Sequence, residues 1–285
     1  MRVAVTGASG YLGRAVVESL VARRHEVVAI SRHPPVLEHV HGLALDVTTD
    51  DLKPALRGVD AVIHLVGIIR ERPSAGVTFE RVHLGATKRV LEALEGERRP
   101  RLVHVSALGT SARGGSAYFE TKWAAEEAVR RAWPTATIVR PSLMFGRGAD
   151  FFQTLLGLAK NPVVPVPGDG ETLFEPVARN DVAEAVVRML EDPKAEGETY
   201  EIGGPERLSL NQLIDRMGMI LGRSTPLPKM HIPRAALFPL VTLGERLPGF
   251  PLTRDQLAML QIPNITDDTR WHRWVPEPEA LGQDV

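Results

Sequence analysis

The sequence contains no cysteine. That absence excludes disulfides, thiolate metal centres and cysteine nucleophiles together. It is compatible with a reducing compartment, and the cytoplasm is the expected location. Lysine is scarce, with six against 28 arginines. Such a bias suits a GC-rich genome or a thermophilic source. Charge of one sign is also missing: 34 basic and 35 acidic residues leave a net charge of -1. No global field attracts nucleic acid or an acidic membrane, so any polyanion site must be local and no nucleic-acid partner is expected. Long apolar runs are absent too. The stretch from Ala235 to Gly244 falls far short of the ~20 residues of a spanning helix. It contains Pro239, lies between Pro233 and Pro248, and is expected to be core or a docking surface. The chain opens directly into a strand pattern, so no signal peptide is expected. There is no internal repeat and no low-complexity run.

What is present is ordinary globular material, 285 residues with 44% hydrophobic. At about 150 residues per domain this means one large domain, or one domain with a smaller lobe. Apolar runs alternate with helical spacing. Strands are expected at 2–6, 26–30, 43–45, 60–66, 101–106 and 136–140. Helices are expected at 11–23, 51–56, 77–94 and 117–131. That alternation predicts βαβ units and a parallel sheet. Beyond Pro141 prolines crowd the chain, with further elements at 181–190, 199–202 and 209–221, where Ser209 is a plausible N-cap. The expected fold is α/β: a Rossmann-like doubly wound parallel sheet with a smaller C-terminal α/β lobe. The core spans 1–141 and the lobe 142–285, some of whose elements return to the core sheet.

The strongest motif is Thr6-Gly7-Ala8-Ser9-Gly10-Tyr11-Leu12-Gly13, between the first strand and first helix. Gly7 permits a tight turn, Gly10 a close backbone approach to pyrophosphate, and Gly13 helix–strand packing. The helix N-terminus then offers free N–H groups and a positive dipole to phosphates. At the end of the second strand a carboxylate would bind the ribose 2′-hydroxyl and favour NAD. The sequence there is Ile30-Ser31-Arg32-His33. Ser31 and Arg32 could hold a 2′-phosphate instead, so NADP(H) is favoured over NAD(H). Otherwise Arg32 is one surface arginine among 28. Asp46, followed by Val47, either accepts a bond from the adenine amino group or opens the next helix. Leu65, Val66 and Gly67 close the fourth strand, where the cofactor's ribose would pass.

Tyr118 and Lys122 stand at i and i+4 on one helix face after the fifth strand. An ammonium beside a phenol favours the phenolate and lowers its pKa from about 10. Lysine can also bond the nicotinamide ribose. In a chain that opens with a dinucleotide loop, this pair reads as proton chemistry beside hydride transfer.

These motifs, with Arg140-Pro141-Ser142-Leu143-Met144-Phe145-Gly146 and Pro167-Gly168-Asp169-Gly170, resemble the extended short-chain dehydrogenase/reductases. His104-Val105-Ser106-Ala107-Leu108-Gly109, Pro176-Val177 with Asp181-Val182-Ala183, and Leu252-Thr253-Arg254-Asp255 narrow the resemblance. They are similar to the atypical branch that contains the nucleotide-binding accessory subunit of respiratory complex I and its bacterial relatives. The resemblance implies bound NAD(P)(H) and a C-terminal lobe on the substrate or partner side. It implies phosphate-loop roles for Gly7, Ser9, Gly10, Tyr11, Leu12 and Gly13. It places Arg32 at the adenosine phosphate, Pro141 and Ser142 in the cofactor-binding set, and Tyr118 and Lys122 as the catalytic pair. Two departures bear on turnover. Active members carry a Ser or Thr one or two residues beyond the first serine after the fifth strand, where this chain has Ala107 and Leu108. Ser106 is the remaining candidate hydroxyl. A missing donor at a reacting oxygen costs on the order of a hundredfold in rate. His83 stands where active relatives usually have Asn. It either faces the cofactor, bonding a backbone group, or is a satisfied helix histidine.

Other clusters carry less. His39 and His41, near Glu38 and Asp46, lie in an irregular loop, and no metal site is expected. Trp271, His272 and Trp274 are expected to pack in the tail. Glu126 and Glu127 adjoin on a helix and diverge around it. Arg98 to Arg101 reads as a solvated loop. Three functions remain open. One is an NAD(P)(H)-binding protein related to the complex I accessory subunit, peripheral to the inner membrane through a partner on its C-terminal lobe. The second is an active NADP-dependent oxidoreductase or epimerase on a small carbonyl compound or nucleotide sugar. The third is a cofactor-sensing regulatory module.

Overall fold

The computed structural model describes residues 1–96, 98–245 and 252–282; Pro248 lies outside them. The chain divides into two compact units. The first comprises Met1–Pro141, Arg179–Ile202 and Asp268–Glu277. The second comprises Ser142–Ala178, Gly203–Asp267 and Pro278–Val285.

The first unit begins β1 (Arg2–Thr6), α1 (Tyr11–Ala22), β2 (Glu26–Ser31), β3 (Val40–Ala44), α2 (Lys53–Leu56) and β4 (Ala61–His64). A π-helical turn, Glu80–Gly85, then leads into α3 (Ala86–Ala93). β5 (Arg101–Val105), α4 (Ala117–Ala132) and β6 (Thr137–Pro141) follow. The unit is completed by α6 (Arg179–Glu191) and β11 (Thr199–Ile202). Between these last two groups the chain forms β7 (Met144–Phe145), α5 (Asp150–Leu158), β8 (Val164–Pro167), β9 (Leu173–Phe174) and β10 (Val177–Ala178) of the second unit.

Seven strands pair in the order β11-β6-β5-β4-β1-β2-β3, every ladder parallel. Val3, Ala4 and Val5, Val27 to Ile30, and Ala61 to Ile63 are fully buried runs without alternation. Strands covered on both faces require that pattern. One face of the sheet meets α3 and α4 through Val62, Leu102 and Ile138 against Val90, Leu94, Val129 and Trp133. Such a fully buried aliphatic side chain contributes about 1.5–3 kcal/mol. Strand order reverses between β1 and β4, which opens a crevice at the carboxyl ends of the strands.

Several boundaries differ from expectation. β4 stops at His64, so Leu65, Val66 and Gly67 lie in the loop beyond it rather than in the strand. β3 begins at Val40 rather than Leu43. The helix expected over 77–94 begins as the π-helical turn, which runs on without a break into α3. Arg101 is no part of a solvated loop. It pairs in β5 and donates to the Leu190 and Glu191 carbonyls of α6. Trp271 and Trp274 are buried, the latter edge-on to Tyr200.

The second unit continues with β12 (Leu208–Ser209), α7 (Leu210–Ile220), β13 (Lys229–Ile232), α8 (Arg234–Gly244) and α9 (Arg254–Met259). Its strands form three short pairs, β7 with β10, β9 with β12 and β8 with β13. Ser209 caps α7, and Thr253 caps α9, each in a reciprocal box with a glutamine three residues on. The apolar stretch at 235–244 forms α8, and the core alternative fails for most of it. Val241 and Gly244 are buried, whereas Phe238, Leu240 and Leu243 are 46%, 58% and 71% exposed. Among the described residues no helix is long and apolar enough to cross a membrane.

Candidate dinucleotide site

The phosphate loop joins β1 to α1 under two backbone bonds. The Gly7 N–H donates to the Ile30 carbonyl of β2 at 2.9 Å, and the Gly10 N–H to the Gly7 carbonyl at 2.9 Å. Gly13 has no room for a side chain. A Cβ there would lie 2.9 Å from the Ala8 carbonyl carbon and closer still to the Gly7 oxygen. Gly10 is the extended N-cap of α1 without a side-chain cap, and the first turn carries no acidic residue. The leading N–H groups and the dipole are thus left to an anion. Leu12 is buried beneath the loop, and the Ser9 carbonyl accepts from Arg14 Nε. The Arg179 guanidinium lies 5.1 Å from the Tyr11 ring centroid. Burial pushes the Tyr11 phenol up to about 12, against the opposing pull of Arg179. The cradle fits a pyrophosphate.

At the end of β2, Ser31 is 7% exposed and its hydroxyl has no hydrogen-bond partner among the described residues. Arg32 follows it on the surface. Asp46 Oδ1 accepts from the Thr48 N–H at 2.8 Å and the Thr48 hydroxyl at 2.7 Å, so it closes a turn. Burial raises the Asp46 pKa. The Thr48 bonds and the Arg32 and Arg81 guanidinia outweigh that and hold it below the usual carboxylate range. Val47 is buried, and its carbonyl accepts from Arg89.

Beyond β4, Leu65 and Val66 are half-buried and Gly67 is exposed. A Cβ on Gly67 would lie 3.0 Å from Lys122 Nζ and 3.7 Å from His83 Nε2. The loop after β4, the turn before α3 and helix α4 therefore converge. Tyr118 is 9% exposed, edge-on to Phe79, His83 and Phe119. Its environment overturns the expectation of a depressed phenol: burial alone pushes its pKa up to about 12. The ammonium is itself disfavoured. Lys122 is 5% exposed, and burial pushes its pKa down to about 8 against the opposing charge of Glu126. Its Nζ donates to the Val105 carbonyl at 3.3 Å.

Two features escaped the sequence reading. The first is Thr110. Its N–H donates to the Ala107 carbonyl at 3.2 Å, closing a turn through Gly109, whose φ is 92°. The turn brings the Thr110 hydroxyl to 3.3 Å from that of buried Ser106. A glycine three residues after the serine was the available signal. The second feature is a buried polar layer beneath Lys122. His64 on β4 lies opposite His104 on β5, their rings stacked at 5.4 Å. His64 Nδ1 meets the Thr6 hydroxyl at 2.6 Å and Nε2 meets that of Thr87 at 3.1 Å. Neither ring nitrogen of His104 has a partner among the described residues. Burial, then neighbouring charge, drives His64 far below its usual pKa and His104 to about 3. Glu126 is fully buried and bridges Arg130 at 2.6 Å and Arg140 at 2.8 Å.

The remaining residues divide between the units. The Pro141 carbonyl, at the end of β6, accepts from the Leu108 N–H at 2.9 Å. Ser142 belongs to the second unit, where its hydroxyl donates to the Asn264 side chain at 2.7 Å.

A reversed-order parallel sheet, a glycine cradle at its first βα turn and a Tyr-x-x-x-Lys pair define a Rossmann-like protein of the extended short-chain dehydrogenase/reductase class. The chain belongs to the NAD dependent epimerase/dehydratase family, whose model matches residues 3–203. It is 33% identical over 282 residues to the NADH dehydrogenase [ubiquinone] 1 alpha subcomplex subunit 9 of Arabidopsis thaliana mitochondria, covering 93% of this chain and 69% of the relative. It is 32% identical over 292 residues to the mitochondrial NADH-ubiquinone oxidoreductase 40 kDa subunit of Neurospora crassa, covering 97% and 72%. In fold it matches the UDP-glucuronic acid 4-epimerase of Bacillus cereus, solved with UDP-glucuronic acid and NAD, at a TM-score of 0.74. That match is 19% identical and covers 100% of this chain and 96% of the other. The family binds NAD(H)-type nucleotides.

Proposed function

We propose that this chain binds NADP(H) in preference to NAD(H) and holds it without rapid turnover, as a relative of the complex I accessory subunits. The observation that carries the nucleotide preference is the end of β2. A buried Ser31 hydroxyl without a hydrogen-bond partner among the described residues is followed by exposed Arg32, and Ile30-Ser31-Arg32-His33 holds no carboxylate to bind a 2′-hydroxyl. A 2′-phosphate would accept from both. Asp46, already charged and turned toward Thr48, remains available to adenine through its second oxygen.

When bound, the nicotinamide supplies hydride transfer. This chain's residues orient it and hold protons. Gly7, Gly10 and Gly13 admit the pyrophosphate, and Leu65, Val66 and Gly67 line the ribose path. Lys122 Nζ bonds the ribose, and Pro141 at the end of β6 belongs to the same cofactor-binding set. The Tyr118 hydroxyl is the proton donor, and at a pKa near 12 it resists becoming a base. Slow turnover is the expectation that Ala107 and Leu108 carry, standing where active members have a hydroxyl residue. The bound nucleotide then stabilises the fold by linkage. In the second unit, exposed Phe238, Leu240 and Leu243 on α8 suit a partner in a membrane complex. That reading places the protein in the cytoplasm, peripheral to the inner membrane.

Arg32→Ala is expected to weaken NADPH binding about tenfold to a hundredfold, as loss of a charge-assisted bond would. NADH affinity should stay unchanged by calorimetric titration. Equal loss for both nucleotides would overturn the phosphate assignment.

A second reading, an active oxidoreductase or epimerase on a small carbonyl compound or nucleotide sugar, draws on Thr110. Its hydroxyl beside Ser106 offers a donor pair for a substrate oxygen. Steady NADPH oxidation against a carbonyl panel, abolished by Tyr118→Phe, would establish it. Retained NADPH without oxidation favours the first reading.

A further inference from the structure

His83 sits between two parts of the candidate site, the loop after β4 and helix α4. Its Nε2 faces both polar groups of Ile68: the Ile68 N–H at 3.2 Å and the Ile68 carbonyl at 3.0 Å. Its Nδ1 lies 2.9 Å from the Thr121 hydroxyl. That hydroxyl also reaches the Ala117 carbonyl at 2.7 Å and the Tyr118 carbonyl at 3.1 Å. The ring stacks on Phe79 at 5.3 Å and meets Tyr118 edge-on at 5.2 Å. One imidazole therefore touches the loop after β4, the ring of Tyr118 and the turn of α4 that lies between Tyr118 and Lys122.

Either neutral tautomer completes the linkage. With the proton on Nδ1, the ring donates to Thr121 while Nε2 accepts from the Ile68 N–H. With the proton on Nε2, the ring donates to the Ile68 carbonyl while Thr121 turns its hydroxyl to Nδ1. A charged ring would have to donate from both nitrogens in a buried site beside Lys122. Burial and that ammonium push its pKa down to about 2.

We propose that His83 is a positioning residue that ties the Gly67–Ile68 loop to the Tyr118/Lys122 helix, so that the nicotinamide-side ribose meets a preformed wall. It is not a ligand of the nucleotide. The inference rests on the dinucleotide reading above and assigns His83 to the nicotinamide half of that site alone. An apolar replacement leaves the Ile68 groups and Thr121 unjoined and frees the loop to move away from Lys122. Asparagine, with one donor and one acceptor on a short side chain, keeps part of the linkage.

The test compares NADH with ADP, which lacks the nicotinamide and its ribose. His83→Leu is expected to weaken NADH binding about tenfold, one lost buried linkage. ADP affinity should be unchanged, and circular dichroism should report an intact fold. His83→Asn should restore most of the NADH affinity. Equal loss for NADH and ADP, or no loss for either in folded protein, overturns the proposal. A second measurement needs no nucleotide. In 15N-labelled protein, one His83 ring nitrogen should be protonated and the other not, unchanged from pH 8 to pH 5. A ring that titrates there overturns the linkage. Failure of wild-type protein to bind NADPH as well as NADH and ADP would overturn the dinucleotide reading instead, and the imidazole spectrum would still decide the linkage.

Discussion

The two units depart from the hydrophobic-in, polar-out rule in opposite directions. The first hides polar groups. Beneath its parallel sheet's carboxyl ends lie His64, His83, His104, Lys122 and Glu126, all nearly or wholly inaccessible. The second shows apolar ones. α8 carries no charged residue between Arg234 and Gly244 and leaves Phe238, Leu240 and Leu243 open to solvent. A buried polar layer costs stability unless something uses it, and an exposed apolar helix costs solubility unless something covers it. On the function proposed above, each departure is where its unit would meet another molecule: a nucleotide in the first, a protein surface in the second.

The largest expected effect tests the buried layer as a whole. His64, His83 and His104 have folded pKa values depressed below the unfolded value of about 6.5. Below that pH the unfolded chain binds protons that the folded chain refuses, so stability falls as pH falls. Each such histidine contributes about 1.4 kcal/mol per pH unit, and three give an upper bound of roughly 4 kcal/mol per unit. Urea denaturation between pH 7 and pH 5 should show this steep loss. A flat profile would mean that the layer is hydrated.

A smaller effect separates stability from function within the same layer. Lys122 has a folded pKa near 8, below its unfolded value. The burden of its buried charge is therefore full below pH 8 and eases as pH rises toward 10. Lys122→Met removes that burden, with the Val105 bond lost in exchange, for a net gain of about 1–2 kcal/mol at pH 7. A higher melting temperature with weakened dinucleotide binding is expected. A lower one would show that the lysine is structural.

The smallest effect belongs to the second unit. Phe238→Ser with Leu243→Ser should shift stability by no more than about 0.5 kcal/mol, since little packing is lost. The double variant should also remain more soluble at high concentration. Marked destabilisation would mean that α8 is internal after all, and the contrast between the units would fail.

Much of the first unit was legible in the chain. Val3 to Val5, Val27 to Ile30 and Ala61 to Ile63 are short apolar runs, and their alternation with helical spacing points to a sheet covered on both faces. The glycine spacing of the phosphate loop is a local matter, since Gly13 in the first turn of α1 packs against the Gly7 carbonyl. The i, i+4 spacing placed Tyr118 and Lys122 on one helix face. Other features were not legible because they depend on distant residues. His64 and His104 are 40 positions apart and become neighbours through the β4–β5 register. Thr110, by contrast, returns to Ser106 through a local turn that Gly109 alone signalled. The π-helical turn that points His83 at Ile68 has no signature in composition.

Residue type and spacing were sufficient for the class of fold, the phosphate cradle and the catalytic-type pair, because turns and helix faces are set by short-range sterics. The protonation of that pair was decided by tertiary structure. The expected lysine-depressed phenol gave way to a Tyr118 raised by burial, because desolvation depends on every neighbour that excludes water. The fate of 235–244 was decided in the same way. Its composition suited a core, and only packing shows which of its faces the rest of the unit leaves uncovered.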